Sequence, residues 1–173
     1  MLSRRRFGLL LTTAIVMTGA SRLTLFDREA RAAAEKEFEI TRSDEEWRHL
    51  LTPEQYEVLR GHGTEPPGSS PLDHEEQDGI FECAGCDQPL FSSETKYDSH
   101  TGWPSFWAPL DDAIGTSIDN SLFITRTEVH CRRCGGHLGH VFEDGPPPTG
   151  LRYCMNGVAM TFVPDDAPTS GNT

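Results

Sequence analysis

Between positions 43 and 63 apolar residues recur at helical intervals: Trp47, Leu50 and Leu51, then Tyr56 and Leu59. Each stripe has a start signal before it. Ser43-Asp-Glu-Glu46 reads as a capping box, Ser43 as N-cap and Glu46 three residues on, and predicts a short helix to about Leu51. Thr52-Pro-Glu-Gln55 repeats the device with Pro53 at the first helical position, and predicts a second helix ending near Gly61 or Gly63. Two helices this short must lay their apolar stripes on something larger. Residues 64–79, rich in Pro, Gly, Ser and acid, read as an extended surface segment. From Ile80 onward the pattern changes to short β-type runs broken by Gly, Pro and Asp, at 80–83, 89–92, 104–107, 121–130, 139–142 and 151–163. No internal repeat of useful length is present. Two small helices followed by a series of strands predict a mainly β, α+β chain with an antiparallel sheet system.

The N-terminus has a different pattern. Arg4, Arg5 and Arg6 precede an uncharged run over residues 8–20, too short for a bilayer and suited to the apolar region of a signal peptide. Ala30-Arg31-Ala32 places small residues where a signal peptidase reads, and Ser3-Arg4-Arg5-Arg6-Phe7 resembles the twin-arginine export pattern. The expected organisation is a twin-arginine-type signal peptide at 1–32, a lead-in at 33–46, one domain at 47–164 and a flexible tail at 165–173. The protein is therefore expected outside the cytoplasm, with no stable membrane insertion after cleavage.

Removing this leader changes the charge. The whole chain carries −12 and mean hydropathy is −0.48. The leader holds six Arg against Asp27 and Glu29, so the remaining 141 residues carry −16. That balance excludes a nucleic-acid partner, which needs clustered Lys and Arg, and disfavours an anionic lipid surface.

Five cysteines fall into two pairs and one remainder. Cys83-Ala-Gly-Cys86 and Cys131-Arg-Arg-Cys134 are separated by 44 residues. A two-residue gap lets one tight turn aim both sulfurs at a single ion, and four thiolates complete the closed tetrahedral shell of structural zinc. Gly85 and Gly135 are expected to supply left-handed turn conformations. Two disulfides are the alternative in an exported protein; a thioredoxin-like pair lacks its βαβ context.

Cys154 is left over. On a strand of period two, Arg152, Cys154 and Asn156 share one face and Tyr153 and Met155 the other. A thiol among polar neighbours reads as a working group, with Arg152 able to lower its pKa and Asn156 able to hydrogen-bond a reacting oxygen. His137 and His140 stand 14 to 17 residues upstream and are the natural acid or base beside a thiolate; either could instead take a metal position or a core hydrogen bond. Gly102-Trp-Pro-Ser-Phe-Trp107 is an aromatic cluster that fits a core, or a pocket wall for a small apolar group.

Together these segments resemble the methionine-R-sulfoxide reductases of the B type. The resemblance runs from about Leu51 to Phe162. It rests on Leu51-Thr-Pro-Glu-Gln-Tyr56, Gly63-Thr-Glu-Pro-Pro67, Pro89-Leu-Phe-Ser-Ser93, Lys96-Tyr-Asp-Ser99, Gly102-Trp-Pro-Ser-Phe106, His137-Leu-Gly-His-Val-Phe142 and Arg152-Tyr-Cys154 with Asn156. It implies two antiparallel sheets in a β-tent clipped by zinc on Cys83, Cys86, Cys131 and Cys134. It implies thiol-dependent reduction of the R epimer of methionine sulfoxide in oxidised peptides or proteins. By motif, Cys154 corresponds to the nucleophile that becomes a sulfenic acid, with His137, His140 and Asn156 around the sulfoxide oxygen. Arg152 corresponds to the group activating the thiolate, and Trp103 to the aromatic wall for the substrate methyl; Phe106 belongs to the same expected wall. The two-cysteine version of the family commonly has a resolving cysteine two residues before that tryptophan. Here Thr101 takes the place, which implies a one-cysteine enzyme served by a thioredoxin-like or other outside thiol. A monomer is expected. Other departures are His100 and the segment Gly68-Ser-Ser-Pro-Leu72, where aromatics are commoner. A zinc-stabilised binding module needs neither the free cysteine nor the two histidines, and a Cys-His hydrolase is distinguished by its indifference to sulfoxides. A zinc-ribbon nucleic-acid binder is disfavoured by −16.

Overall fold

A computed structural model describes residues 38–121 and 124–165. The expected leader, the start of the lead-in and the tail beyond Asp165 lie outside these residues. Both capping boxes form. In helix α1 (Asp44–Leu50) the Ser43 side chain accepts from the Glu46 N–H while the Glu46 carboxylate accepts from the Ser43 N–H. Thr52 and Gln55 do the same for α2 (Pro53–Leu59). The helices bury Trp47, Val58 and Leu59, half-bury Gln55 and Tyr56 and expose the remainder, as two-turn helices on a larger surface must. No helix among the described residues is long and apolar enough to cross a membrane.

Nine strands follow among the described residues. They are β1 (Gly79–Cys83), β2 (Pro89–Ser92), β3 (Lys96–Tyr97), β4 (Ser105–Phe106), β5 (Ile114–Asp119), β6 (Arg126–Cys131), β7 (His137–Phe142), β8 (Arg152–Met155) and β9 (Met160–Pro164). They form two antiparallel sheets: β2-β1-β9, and β3-β4-β8-β7-β6-β5. Two sequence expectations are corrected. The expected run 151–163 is two strands in two sheets, divided by a 3-10 turn at Gly157–Ala159 that carries the chain from one sheet to the other. The expected run 121–130 begins only at Arg126, and its partner β5 was not anticipated. β5 has no apolar face to reveal it: Ile118 points into solvent and every residue is at least partly exposed.

The sheets enclose Phe81, Phe91, Leu90, Phe106, Val129, Leu138 and Met155, all fully buried. Phe106 is the centre of this core. It stacks on Phe91 at 4.3 Å between ring centroids and meets Phe81 edge-on at 4.9 Å. That placement corrects the expectation that Phe106 lines a substrate wall, because it projects from the opposite face of β4 to its neighbour Ser105.

The two Cys-x-x-Cys turns cap β1 and β6, and they are built alike. The N–H of Asp87 donates to the carbonyl of Cys83, and the N–H of Gly135 to that of Cys131, each at 2.9 Å. The residue after the second cysteine is left-handed in both, with φ +56° at Asp87 and +70° at Gly135. Gly135 behaves as expected; Gly85 does not, and Asp87, whose residue type tolerates this region better than most, takes the turn instead.

Truncating Phe106 removes both ring contacts and leaves a cavity that the flanking sheets cannot close. Phe106→Ala is expected to cost about 3–5 kcal/mol of unfolding free energy, read from denaturant midpoints at unchanged slope.

Candidate active site

The larger sheet aligns one rung of side chains across six strands. Tyr97 pairs with Ser105, Ser105 with Cys154, Cys154 with His140, His140 with Glu128, and Glu128 with Ser117. Residues directly opposed in an antiparallel pair share a face with β-carbons about 5 Å apart. The register therefore sets Cys154 beside His140, and His140 beside Glu128, independently of any loop.

His137 reaches this face by a bulge. Three residues along a regular strand would put it opposite His140. Between β6 and β7, however, Val129 pairs with Gly139 and His130 with His137, so Leu138 is the extra residue. The bulge turns His137 back onto the His140 side, and their rings stand 5.4 Å apart. The Leu138 carbonyl faces away from the bulged edge, toward the chain that continues β8, and Asn156 holds it there. Its backbone N–H and its Nδ2 both donate to the Leu138 carbonyl, at 2.8 and 3.0 Å.

Asn156 is in turn fixed by Glu65, a residue the sequence reading quoted in a motif but did not single out. All four polar groups of Glu65 are engaged. Its N–H donates to Asn156 Oδ1 (3.0 Å), and its carbonyl accepts from Trp103 Nε1 (3.1 Å). Its carboxylate accepts from the N–H groups of Gly157 (2.5 Å) and Val158 (3.0 Å), which open the 3-10 turn between the sheets. Burial raises the Glu65 pKa and these two backbone donors oppose it. One residue thus holds the aromatic wall and Asn156 through its backbone, and the sheet crossover through its side chain.

Two further carboxylates went unrecognised in the sequence. Glu128 Oε1 lies 2.7 Å from His137 Nδ1, and Asp119 Oδ2 lies 2.8 Å from His140 Nε2. The His137 hydrogen bond, followed by that of Ser117, holds Glu128 down at about 2. Asp119 is held well below the usual carboxylate range by Ser121 first and then by His140 and Arg126. An ionised acceptor at each of these nitrogens fixes both rings. His140 carries its proton on Nε2 toward Asp119, which leaves Nδ1 as a lone pair; burial lowers its pKa and keeps it neutral. His137 donates from Nδ1, and its Nε2 is buried with no protein partner.

Cys154 lines a cavity of about 140 Å³ with Thr64, Trp103, Arg126, Gly139, His140, Phe142 and Asn156. Burial raises its pKa; Arg152 and then Thr101 oppose this without overcoming it. The resting group is a thiol. Arg152 is committed first to Asp144, donating from Nε at 2.9 Å and from the guanidinium end at 2.8 Å, and lies 4.5 Å over the Phe142 ring. Thr101 Oγ1 stands 4.0 Å from Cys154 Sγ. A larger hollow of about 590 Å³ opens nearby between α2 and residues 64–71, and Thr64 borders both. Neither a cysteine nor a histidine lines it, so the smaller cavity is the candidate for chemistry.

The four remaining cysteines converge as the spacing predicted. Cys83 Sγ lies 3.7 Å from Cys134 Sγ, and Cys86 Sγ 3.6 Å from Cys131 Sγ. A disulfide needs about 2 Å. Tetrahedral zinc with bonds of about 2.3 Å puts its sulfurs about 3.8 Å apart, so this arrangement fits the ion better than the disulfide alternative.

A family model described as the SelR domain matches residues 51–164. The chain is 52% identical over 126 residues to peptide methionine sulfoxide reductase MsrB of Agrobacterium fabrum, spanning 72% of this chain and 93% of that one. It is 54% identical to MsrB of Methanosarcina mazei (73% and 91%) and 55% identical to MsrB of Pseudomonas syringae (69% and 92%).

Two outcomes follow from the buried carboxylates. Glu65→Gln sets an amide N–H₂ against a backbone donor and is expected to cost about 1–3 kcal/mol in stability while raising KM more than it lowers kcat. Glu128 has a folded-state pKa below its ordinary 4.5, so its contribution is complete above that value and is lost as pH falls toward about 2. Acid unfolding of Glu128→Gln should therefore show a smaller loss of stability across that window than the wild type.

Proposed function

This chain belongs to the SelR-domain family of peptide methionine sulfoxide reductases, and on that premise we propose that it reduces the R epimer through a sulfenic acid on Cys154. Reduction of methionine sulfoxide in peptides by a thiol is what the family does. The observation that carries the finer reading is the rung placing Cys154 directly opposite a neutral, carboxylate-anchored His140.

Cys154 Sγ attacks the sulfoxide sulfur, and its proton passes through His140 Nδ1 to the sulfoxide oxygen. The oxygen leaves the substrate sulfur with the Cys154 sulfur, which is oxidised by two electrons to the sulfenic acid as the substrate is reduced by two to the thioether. No net proton is required. His137 Nε2, buried and unpartnered, is the second group for the oxygen, and Glu128 holds it in place. Trp103 and Phe142 wall the methyl side. Nucleophile, oxygen-binding groups and wall occupy three fixed directions around a tetrahedral sulfur, which supports selection of one epimer.

A first outside thiol condenses with the sulfenic acid, releasing water, and a second, from a thioredoxin-like or other reductant, frees Cys154 as a disulfide departs. Thr101 beside Cys154 supports this one-cysteine route. Cys83, Cys86, Cys131 and Cys134 hold structural zinc in this reading. The leader pattern at 1–32 supports export and a repair role outside the cytoplasm.

Separated epimers of a methionine sulfoxide peptide, offered with excess thiol, should show turnover of R alone; turnover of S, or of neither, overturns the reading. Cys154→Ser should abolish turnover with fold and metal retained. Thr101→Cys should leave an intramolecular disulfide after one turnover without added thiol, and its failure to form would remove Thr101 from the vicinity of the reacting sulfur. Cys131→Ser should lose zinc and thermal stability together.

A further inference from the structure

His62, Glu128 and His137 gather three metal-ligating atoms within 4.8 Å of one another, apart from the cysteine cluster. The geometry points to a second transition-metal site here, of the His₂-carboxylate type that takes zinc and its neighbours. Glu128 Oε1 lies 2.7 Å from His137 Nδ1 and 3.0 Å from His62 Nδ1, so both imidazoles already aim at one oxygen. The two ring centroids stand 5.2 Å apart. Two imidazoles bound through Nδ1 at about 2.1 Å with a tetrahedral angle place their centroids about 5 Å apart, so little ring movement is needed.

The surroundings supply what a site requires beyond its ligands. Ser117 donates to Glu128 Oε2 at 2.6 Å, fixing the carboxylate so that Oε1 remains the ligating atom. The carboxylate is ionised at neutral pH. His137 is 3% exposed and gives a rigid inner ligand, whereas His62 is 63% exposed and gives the ion an entry. A water completes the shell. Bound metal replaces the two hydrogen bonds to Oε1 and ties residue 62, two positions before Thr64 of the cavity wall, to strands β6 and β7.

The test uses the mature protein with its cysteine site already loaded, titrated with zinc alone in the absence of thiol. The wild type is expected to take one further equivalent and to melt at a higher temperature with it. His62→Gln and Glu128→Gln should weaken that equivalent by about tenfold or more, while Cys154→Ser should retain it. His62 is exposed, so its variant tests the site without loss of fold. Absence of a further equivalent, or equal affinity in His62→Gln, overturns the proposal and leaves the triad as hydrogen bonds alone; loss in Cys154→Ser would assign the ion to the thiol and overturn it equally.

Discussion

Side chains three apart on a β-strand face opposite ways, and the site depends on Leu138 suspending that rule between His137 and His140. The bulge has no support of its own. Its carbonyl is held by both amide donors of Asn156, Asn156 by the backbone of Glu65, and Glu65 by the turn that leads into the other sheet. The geometry at Cys154 thus depends on contacts more than ninety residues apart in sequence, which concentrates the support of the site on one residue, Glu65, bonded through both its backbone and its carboxylate. Satisfied networks of this kind rigidify a core, whereas partly satisfied ones penalise it.

Electrostatics in the site follow from burial acting on groups of different charge type. Desolvation penalises the charged form of each, so it raises Cys154 and lowers His140, and both rest neutral. Asp119 and Glu128 escape because each has donors aimed at it. A neutral thiol facing a neutral imidazole has little charge to stabilise until a polar substrate enters. On the proposed mechanism, reactivity is then conferred by the substrate's own dipole.

The sequence made local chemistry legible and long-range geometry much less so. The capping boxes and both Cys-x-x-Cys turns depend on residues two or three apart, and they stand where expected. The hand of one knuckle was misplaced, since Asp87 rather than Gly85 takes the left-handed position. Cys154, His137 and His140 were named from residue type, but their common face depends on a register and a bulge that no short window contains. Phe106 was misread for the same reason: only the pairing of Ser105 with Cys154 shows that its neighbour must face the core. Asp119 escaped notice because it ends a solvent-exposed strand without an apolar face.

The hydroxyl of Thr101, standing where a second thiol would be in reach, bears on the lifetime of the oxidised enzyme. All four other cysteines belong to the cluster at the ends of β1 and β6. In the proposed cycle a sulfenic acid on Cys154 then has no internal escape and persists until a reductant collides with it. During that interval a peroxide can carry it to the sulfinic state, from which thiols do not rescue it. In that cycle the number of turnovers one molecule completes is set by this race between encounter and overoxidation.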